Sequence, residues 1–276
     1  MTERAGASTG TLSVQLYSVR DALAADRPGT LARLAGIGFR YVEPFALALW
    51  NTPAAERAAA ARALRADLDA AGLAVSSLHG AVGAGRQTAL VEECRILGAD
   101  TVFVPIPFLV EGFDDKVFTS RESVAAFARR LNEAARELAD SGIRLGYHNH
   151  VFEWTELPDG GLGFDVLWEH LDPLVAAEND AHWAAAAGRD PARVLAQLGE
   201  RAVAVHLKNG PGAPDDPLTP RAQTPLGTGV VDVPAALSAG RHLRWHITEI
   251  DTTDGDPFDL LAANRRFLLD AGATAE

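Results

Sequence analysis

Short runs of β-branched and apolar residues alternate along this chain with longer segments of helical periodicity, and that alternation limits the fold more than any other feature of the sequence. Strands separated by helices pair in parallel, because each helix returns the chain across one face of the sheet before the next strand begins. The expected strands fall at residues 12–17, 41–45, 74–78, 101–106, 143–148, 174–179, 202–207 and 243–250. The expected helices fall at 28–37, 53–71, 88–97, 121–141, 163–170, 191–198, 233–239 and 257–271. Gly38, Gly72, Gly98, Gly142 and Gly272 each follow an apolar-periodic segment, where a residue able to take positive φ closes the last helical turn. Eight such units suit a closed (β/α)8 barrel better than an open doubly wound sheet, which more often has five or six. The first strand is followed by Gln15-Leu16-Tyr17-Ser18-Val19-Arg20, not by the glycine-rich turn of a dinucleotide site. The expected fold class is therefore α/β, a single (β/α)8 barrel over residues 11–276, after a disordered stretch at 1–10.

Bulk properties narrow the function. A formal charge of -12 across 276 residues would repel a phosphate backbone, and the arginines are scattered along helical segments, as at Arg57, Arg62 and Arg65, without a basic stripe. No apolar run approaches the roughly 20 residues that cross a bilayer, and the small, polar start lacks the apolar core of a signal peptide. Neither a nucleic-acid nor a membrane partner is expected, and a cytoplasmic enzyme is. The single cysteine, Cys94, lies within the helical pattern Leu90-Val91-Glu92-Glu93-Cys94-Arg95 and reads as a buried structural thiol. The stretch 209–228, rich in proline, glycine and aspartate, is too polar for a core and reads as an active-site loop.

In a (β/α)8 barrel the chemistry gathers at the C-terminal ends of the strands, and polar residues accumulate there in this chain. Strand two ends in Glu43 and strand three in His79. Strand five ends in His148-Asn149-His150 with Glu153 beyond, strand six in Glu178-Asn179-Asp180, strand seven in His206 and Lys208, strand eight in Glu249 and Asp251. The two-residue period of a strand puts His206 and Lys208 on one face, Glu249 and Asp251 on one face, and His148 with His150. Carboxylates mixed with imidazoles suit Mn²⁺, Zn²⁺, Co²⁺ or Fe²⁺, and suit Mg²⁺ less well because it prefers oxygen.

These segments resemble the xylose-isomerase-like sugar phosphate isomerase/epimerase superfamily of TIM barrels, in particular a branch marked by the motif Tyr-His-Asn-His-x-Phe-Glu. The landmarks are Gln15 to Asp21, Gly38-Phe39-Arg40-Tyr41-Val42-Glu43, Tyr147-His148-Asn149-His150-Val151-Phe152-Glu153, Asn179-Asp180 with Trp183, Gly188-Arg189-Asp190-Pro191, Val205-His206-Leu207-Lys208, Leu226 to Asp232 and Thr248-Glu249-Ile250-Asp251. The resemblance implies one divalent cation, Mn²⁺ first, held by Glu153, Asp180, His206 and Glu249. In the wider superfamily the strand-five glutamate directly precedes Asn-His, which puts His148 in its place, so Glu153 and His148 both stand as that ligand. The resemblance also implies a small sugar as substrate; from their places at strand ends and in the following loops, Lys208, His79, Glu43, His182 and Trp154 are the residues expected to contact it, and a homo-oligomer stays open.

The chemistry implied is isomerisation or epimerisation. A cation chelated by a carbonyl and its neighbouring hydroxyl stabilises the enediolate formed on deprotonation between them, and a flanking base takes and returns the proton. His148, His150, Glu153 and Glu249 are the candidates for that base. The alternative is a lyase, dehydratase or deglycosidase reaction on a 3-keto-sugar or keto-inositol, in which the same enediolate expels a leaving group. A non-catalytic sugar-binding barrel is the third reading.

Overall fold

The computed structural model describes residues 10–212 and 220–275. The expected disorder at 1–10 therefore falls, Gly10 apart, outside the described residues, as does the middle of the loop expected at 209–228. Among the described residues there are nine strands: β1 (Thr11–Gln15), β2 (Tyr41–Glu43), β3 (Ala74–Val75), β4 (Leu78–His79), β5 (Thr101–Val104), β6 (Arg144–His148), β7 (Ala176–Asp180), β8 (Ala202–Leu207) and β9 (Trp245–Thr248).

The chain divides into two compact units, one of residues 1–43, 67–76 and 178–276, the other of 44–66 and 77–177. In the first unit β3, β2, β1, β9 and β8 are bonded in that order, all in parallel. In the second, β4, β5 and β6 are bonded in order and in parallel. Parallel pairing throughout is what alternating strands and helices require.

Most of the expected helices appear within a residue or two of their predicted bounds, because their ends are written in the sequence. Asp190, Asp232 and Asp256 each cap a helix that begins with proline at its first or second position: Pro191–Leu198, Val233–Ala239 and Pro257–Asp270. Their carboxylates accept the N–H groups of Ala192, Ala235 and Phe258, at 3.0, 3.0 and 2.9 Å. At the other ends, Gly38, Gly72, Gly98, Gly142 and Gly272 all have φ between 68° and 109°, as their positions after helices predict.

One expected strand does not form as a single piece. The run 74–78 is two short strands, β3 paired with β2 and β4 paired with β5. Ser76, between them, turns both its N–H (3.0 Å) and its hydroxyl (3.2 Å) to the Val42 carbonyl, and its hydroxyl also meets that of Ser13 at 2.7 Å. The division between the units runs between Ser76 and Ser77. Two short helices, Arg20–Ala25 and Ala181–Ala186, were not expected, being too brief to show a period.

In the second unit a fully buried Arg57 meets the equally buried Glu93, Nε to Oε2 at 3.1 Å with Nη2 on the same oxygen. Cys94 is beside this pair in sequence and fully buried. Burial, and then the Glu93 carboxylate, push its thiol up to about 12. Since only the thiolate is nucleophilic, native Cys94 should react with a thiol reagent at pH 8 about a thousandfold more slowly than in denatured protein. Comparable rates before and after denaturation would contradict a structural thiol. No helix among the described residues is long and apolar enough to cross a membrane.

Candidate metal centre

The first unit brings the strand-end groups together. Glu43 ends β2, Asp180 ends β7, His206 is next to last in β8, and Lys208 and Glu249 directly follow β8 and β9. Register explains the meeting: Gln15 pairs with Glu43 across β1 and β2, and His206 with Ile247 across β8 and β9. The Gln15 amide is itself fixed, its oxygen accepting Tyr17 N–H at 3.1 Å and its nitrogen donating to Glu43 Oε2 at 2.8 Å.

His206 is wholly buried and faces carboxylates on both sides. Its Nε2 lies 2.8 Å from Glu43 Oε2 and 3.3 Å from Glu178 Oε2, and its Nδ1 lies 2.8 Å from Glu249 Oε2. Burial disfavours the imidazolium, but the carboxylates of Glu178 and Glu249 outweigh it and hold the ring's pKa well above the usual histidine value. Lys208, expected to contact substrate, is 1% exposed on its side chain, with Nζ 2.8 Å from Asp180 Oδ2, 2.7 Å from Glu249 Oε2 and 2.8 Å from Asp251 Oδ2.

Asp180 serves two neighbours at once. Its Oδ1 caps the helix Ala181–Ala186 by accepting Trp183 N–H at 2.8 Å, while Oδ2 faces Lys208. Burial lifts its carboxyl to about 6 against the opposing pull of the Lys208 ammonium. In the same short helix His182 is 3% exposed, and its Nδ1 has no hydrogen-bond partner among the described residues. Burial first, and Lys208 second, push this ring down to about 4, so it is neutral at neutral pH.

The donor set fits a divalent cation. Asp180, His206 and Glu249 each offer one ligand atom, and these atoms lie within 4.8 Å of one another. Around them Glu43, Glu178, Asp180, Glu249 and Asp251 supply five carboxylates against two cationic side chains, an excess of negative charge that burial makes costly. A divalent ion would offset most of it, and oxygen donors joined to one imidazole suit the metals expected from the sequence.

The strand-five residues lie in the second unit. The His148 ring sits 5.0 Å from that of His79 and 4.9 Å from that of His150, centroid to centroid. Glu153 is wholly buried, its Oε1 accepting Tyr147 Oη–H at 2.7 Å and its Oε2 accepting His150 N–H at 2.8 Å. Trp154, expected to contact substrate, is buried and stacked on Phe164, with centroids 3.8 Å apart and planes inclined by 15°.

Glu178 and Gln15 belong to the site, although the sequence assigned Glu178 no role beyond its place at a strand end and Gln15 none beyond its place in a recognisable segment. For Glu178 the signal was present: it precedes Asp180 by two positions in β7 and so shares its face. Gln15 lies in a recognisable segment, but nothing in the sequence marks its pairing with Glu43.

A family model described as xylose isomerase-like TIM barrel matches residues 31–269. Among solved structures, the chain is similar to a sugar phosphate isomerase/epimerase from Parabacteroides distasonis ATCC 8503, with 19% identity, 96% of this chain and 95% of that chain covered, and a TM-score of 0.73. It is similar to a xylose isomerase-like TIM barrel protein from Mycobacterium smegmatis in complex with magnesium, with 18% identity, 95% and 96% covered, and a TM-score of 0.67. It is also similar to the probable 3-DHS dehydratase AsbF of petrobactin synthesis from Bacillus anthracis, with 15% identity, 94% and 98% covered, and a TM-score of 0.66. No curated protein matches the chain.

Proposed function

We propose that this chain, which belongs to the xylose isomerase-like TIM barrel family, is a cytoplasmic, divalent-metal-dependent isomerase or epimerase of a small keto- or aldo-sugar. The observation that carries the reading is the convergence of Asp180, His206 and Glu249 within 4.8 Å of one another at strand ends. Those three residues would hold the cation, Mn²⁺ first among the candidates. When bound, the cation would draw charge from a carbonyl and its neighbouring hydroxyl, which eases removal of the hydrogen between them.

The protein's own groups have the remaining tasks. Lys208 favours the ionised, donor form of Asp180 against the effect of burial, standing 2.8 Å from it and 2.7 Å from Glu249. Glu43 and Glu178 fix the His206 ring from the side opposite Glu249. His182, neutral and with an unpartnered Nδ1, is suited to a substrate hydroxyl. His148 and His150 are assigned the proton transfer, as the imidazoles at the end of β6 and in the turn that follows it.

A dehydratase among the similar structures supports the lyase as a second reading. The test is elemental analysis of purified protein joined to a panel of free, phosphorylated and 3-keto sugars run in D₂O. An isomer or epimer carrying solvent deuterium is the expected product. Release of water or aglycone, without any epimer, would overturn isomerase in favour of lyase.

Stripping the metal should abolish turnover and lower stability. A ligand bound only by the folded state stabilises it by about 2.7 kcal/mol at a concentration a hundred times its Kd, so Mn²⁺ added to chelator-treated protein should raise the melting temperature. An unchanged melting curve, with turnover intact in chelator, would remove the metal from the proposal.

A further inference from the structure

We propose that Glu153 and Tyr147 form a clamp that positions the histidine pair of the strand-five segment, Glu153 acting neither as a metal ligand nor as the base. The inference rests on the isomerase or epimerase reading above and gives one of its expected residues a different task.

The chain leaves β6 at His148, turns through Asn149 and His150, and enters a single helical turn at Phe152–Trp154. Glu153 lies within that turn. One carboxylate oxygen accepts the Tyr147 hydroxyl at 2.7 Å and the other accepts the His150 N–H at 2.8 Å, so the side chain ties the end of the strand to the backbone of the turn. Tyr147 and Glu153 are both wholly buried. A buried carboxylate whose two oxygens each hold a donor from its own segment is a structural tie, and hydrogen bonds to a charged acceptor are the stronger kind.

What the tie holds is the orientation of the two imidazoles. The His148 and His150 rings meet at 4.9 Å with planes at 71°, and His150 lies nearly parallel to Phe152, 5.4 Å away at 8°. The His148 ring also meets that of His79, with centroids 5.0 Å apart. With the His150 backbone fixed by Glu153 and the strand fixed at Tyr147, both rings are held between anchored points. Proton transfer depends on such placement, and a displacement of about 1 Å can cost about a hundredfold in rate.

Glutamine at position 153 separates this role from the others. Its oxygen can accept from His150 N–H while its amide donates to the Tyr147 oxygen, since a phenol both donates and accepts. The clamp would then survive, whereas a glutamine could neither ligate the metal as a carboxylate does nor take a proton. Glu153→Gln, Glu153→Ala and Tyr147→Phe should be compared for Mn²⁺ stoichiometry, for imidazole ¹⁵N–¹H correlation spectra, and for turnover of the panel sugar that the wild type converts.

All three variants are expected to hold Mn²⁺ as the wild type does. Glu153→Gln should keep the His148 and His150 resonances and stay within about threefold in kcat. Glu153→Ala and Tyr147→Phe should shift those resonances and lose about a hundredfold in kcat with little change in KM. Loss of Mn²⁺ from Glu153→Gln, or a fall in turnover as deep as that of Glu153→Ala, would overturn the clamp in favour of a ligand or base. Unmoved imidazole resonances in Tyr147→Phe, which removes only a hydroxyl and serves if the alanine variant does not fold, would also overturn it. The Mn²⁺ and spectral readouts need no substrate, so a wild type that converts no sugar in the panel defeats the isomerase reading and leaves the clamp to stand or fall by itself.

Discussion

Replacing His206 by alanine is expected to abolish tight divalent-metal binding and to lower turnover by about 10³-fold, the equivalent of roughly 4 kcal/mol of transition-state stabilisation. His206 is the imidazole of the donor set, and it touches three carboxylates from three different strand ends: Glu43, Glu178 and Glu249. Removing a group that merely orients a ligand already costs about 10–100-fold in metal affinity, so removing the ligand itself should cost more. A second effect should appear in metal-free protein. Without the imidazolium, Glu43, Glu178 and Glu249 lose the group between them, and breaking a buried ion pair by removing one partner costs about 3–5 kcal/mol. Titration with Mn²⁺ followed by equilibrium dialysis, and urea unfolding in chelator, measure the two separately. A variant that binds one equivalent of Mn²⁺ at wild-type affinity would defeat the assignment of His206 as ligand, whatever its turnover.

The alternation of strand and helix was readable because its determinants are local. Aspartate followed by proline opens Pro191–Leu198 and Pro257–Asp270, and glycine of positive φ closes Arg27–Ile37 and Gln87–Leu97. What could not be read depends on partners distant in sequence. Residues 74–78 have the composition of one strand, and the break comes from Ser76 turning to Val42 and Ser13. The site follows the same division. Strand parity was enough to bring His206 and Glu249 to one place, and applied to β7 it would have added Glu178. Trp154 illustrates the reverse case. An aromatic residue in a loop near a sugar site suggests stacking on substrate, but its surface is taken by Phe164, which no local pattern announces. For Glu153 the sequence supplied a carboxylate at the right distance from the strand, yet its two oxygens are engaged by Tyr147 and His150, a use that only side-chain geometry reveals.

Lys208 is where sequence and structure differ most in energetic terms, and its replacement by methionine should cost metal-free protein about 3–5 kcal/mol near neutral pH. Methionine has nearly the same length and an unbranched, adaptable stem, so the loss would come from charge and not from a cavity. The ammonium stands within 2.8 Å of Asp180, Glu249 and Asp251, and without it three carboxylates face one another with burial opposing their ionisation. The direction with pH follows. Burial already lifts the Asp180 carboxyl to about 6, with Lys208 pulling the other way, so removing Lys208 must lift it further. A carboxyl raised in the folded state binds more protons there than in the unfolded chain, and folding then loses stability as pH rises through the window between the two values. The penalty should therefore be smaller at pH 5 than at pH 8. The wild-type lysine's own stabilisation also fades as pH rises, but only at high pH: its pKa is held well above 10.5, with burial opposing and the three carboxylates prevailing, so its contribution is complete at both pH 5 and pH 8. Urea unfolding of both proteins in chelator at the two pH values decides the matter. A penalty equal at pH 5 and pH 8 would mean that Lys208 is held for its packing, and that the excess carboxylate charge on which the metal assignment depends is already neutralised by bound protons.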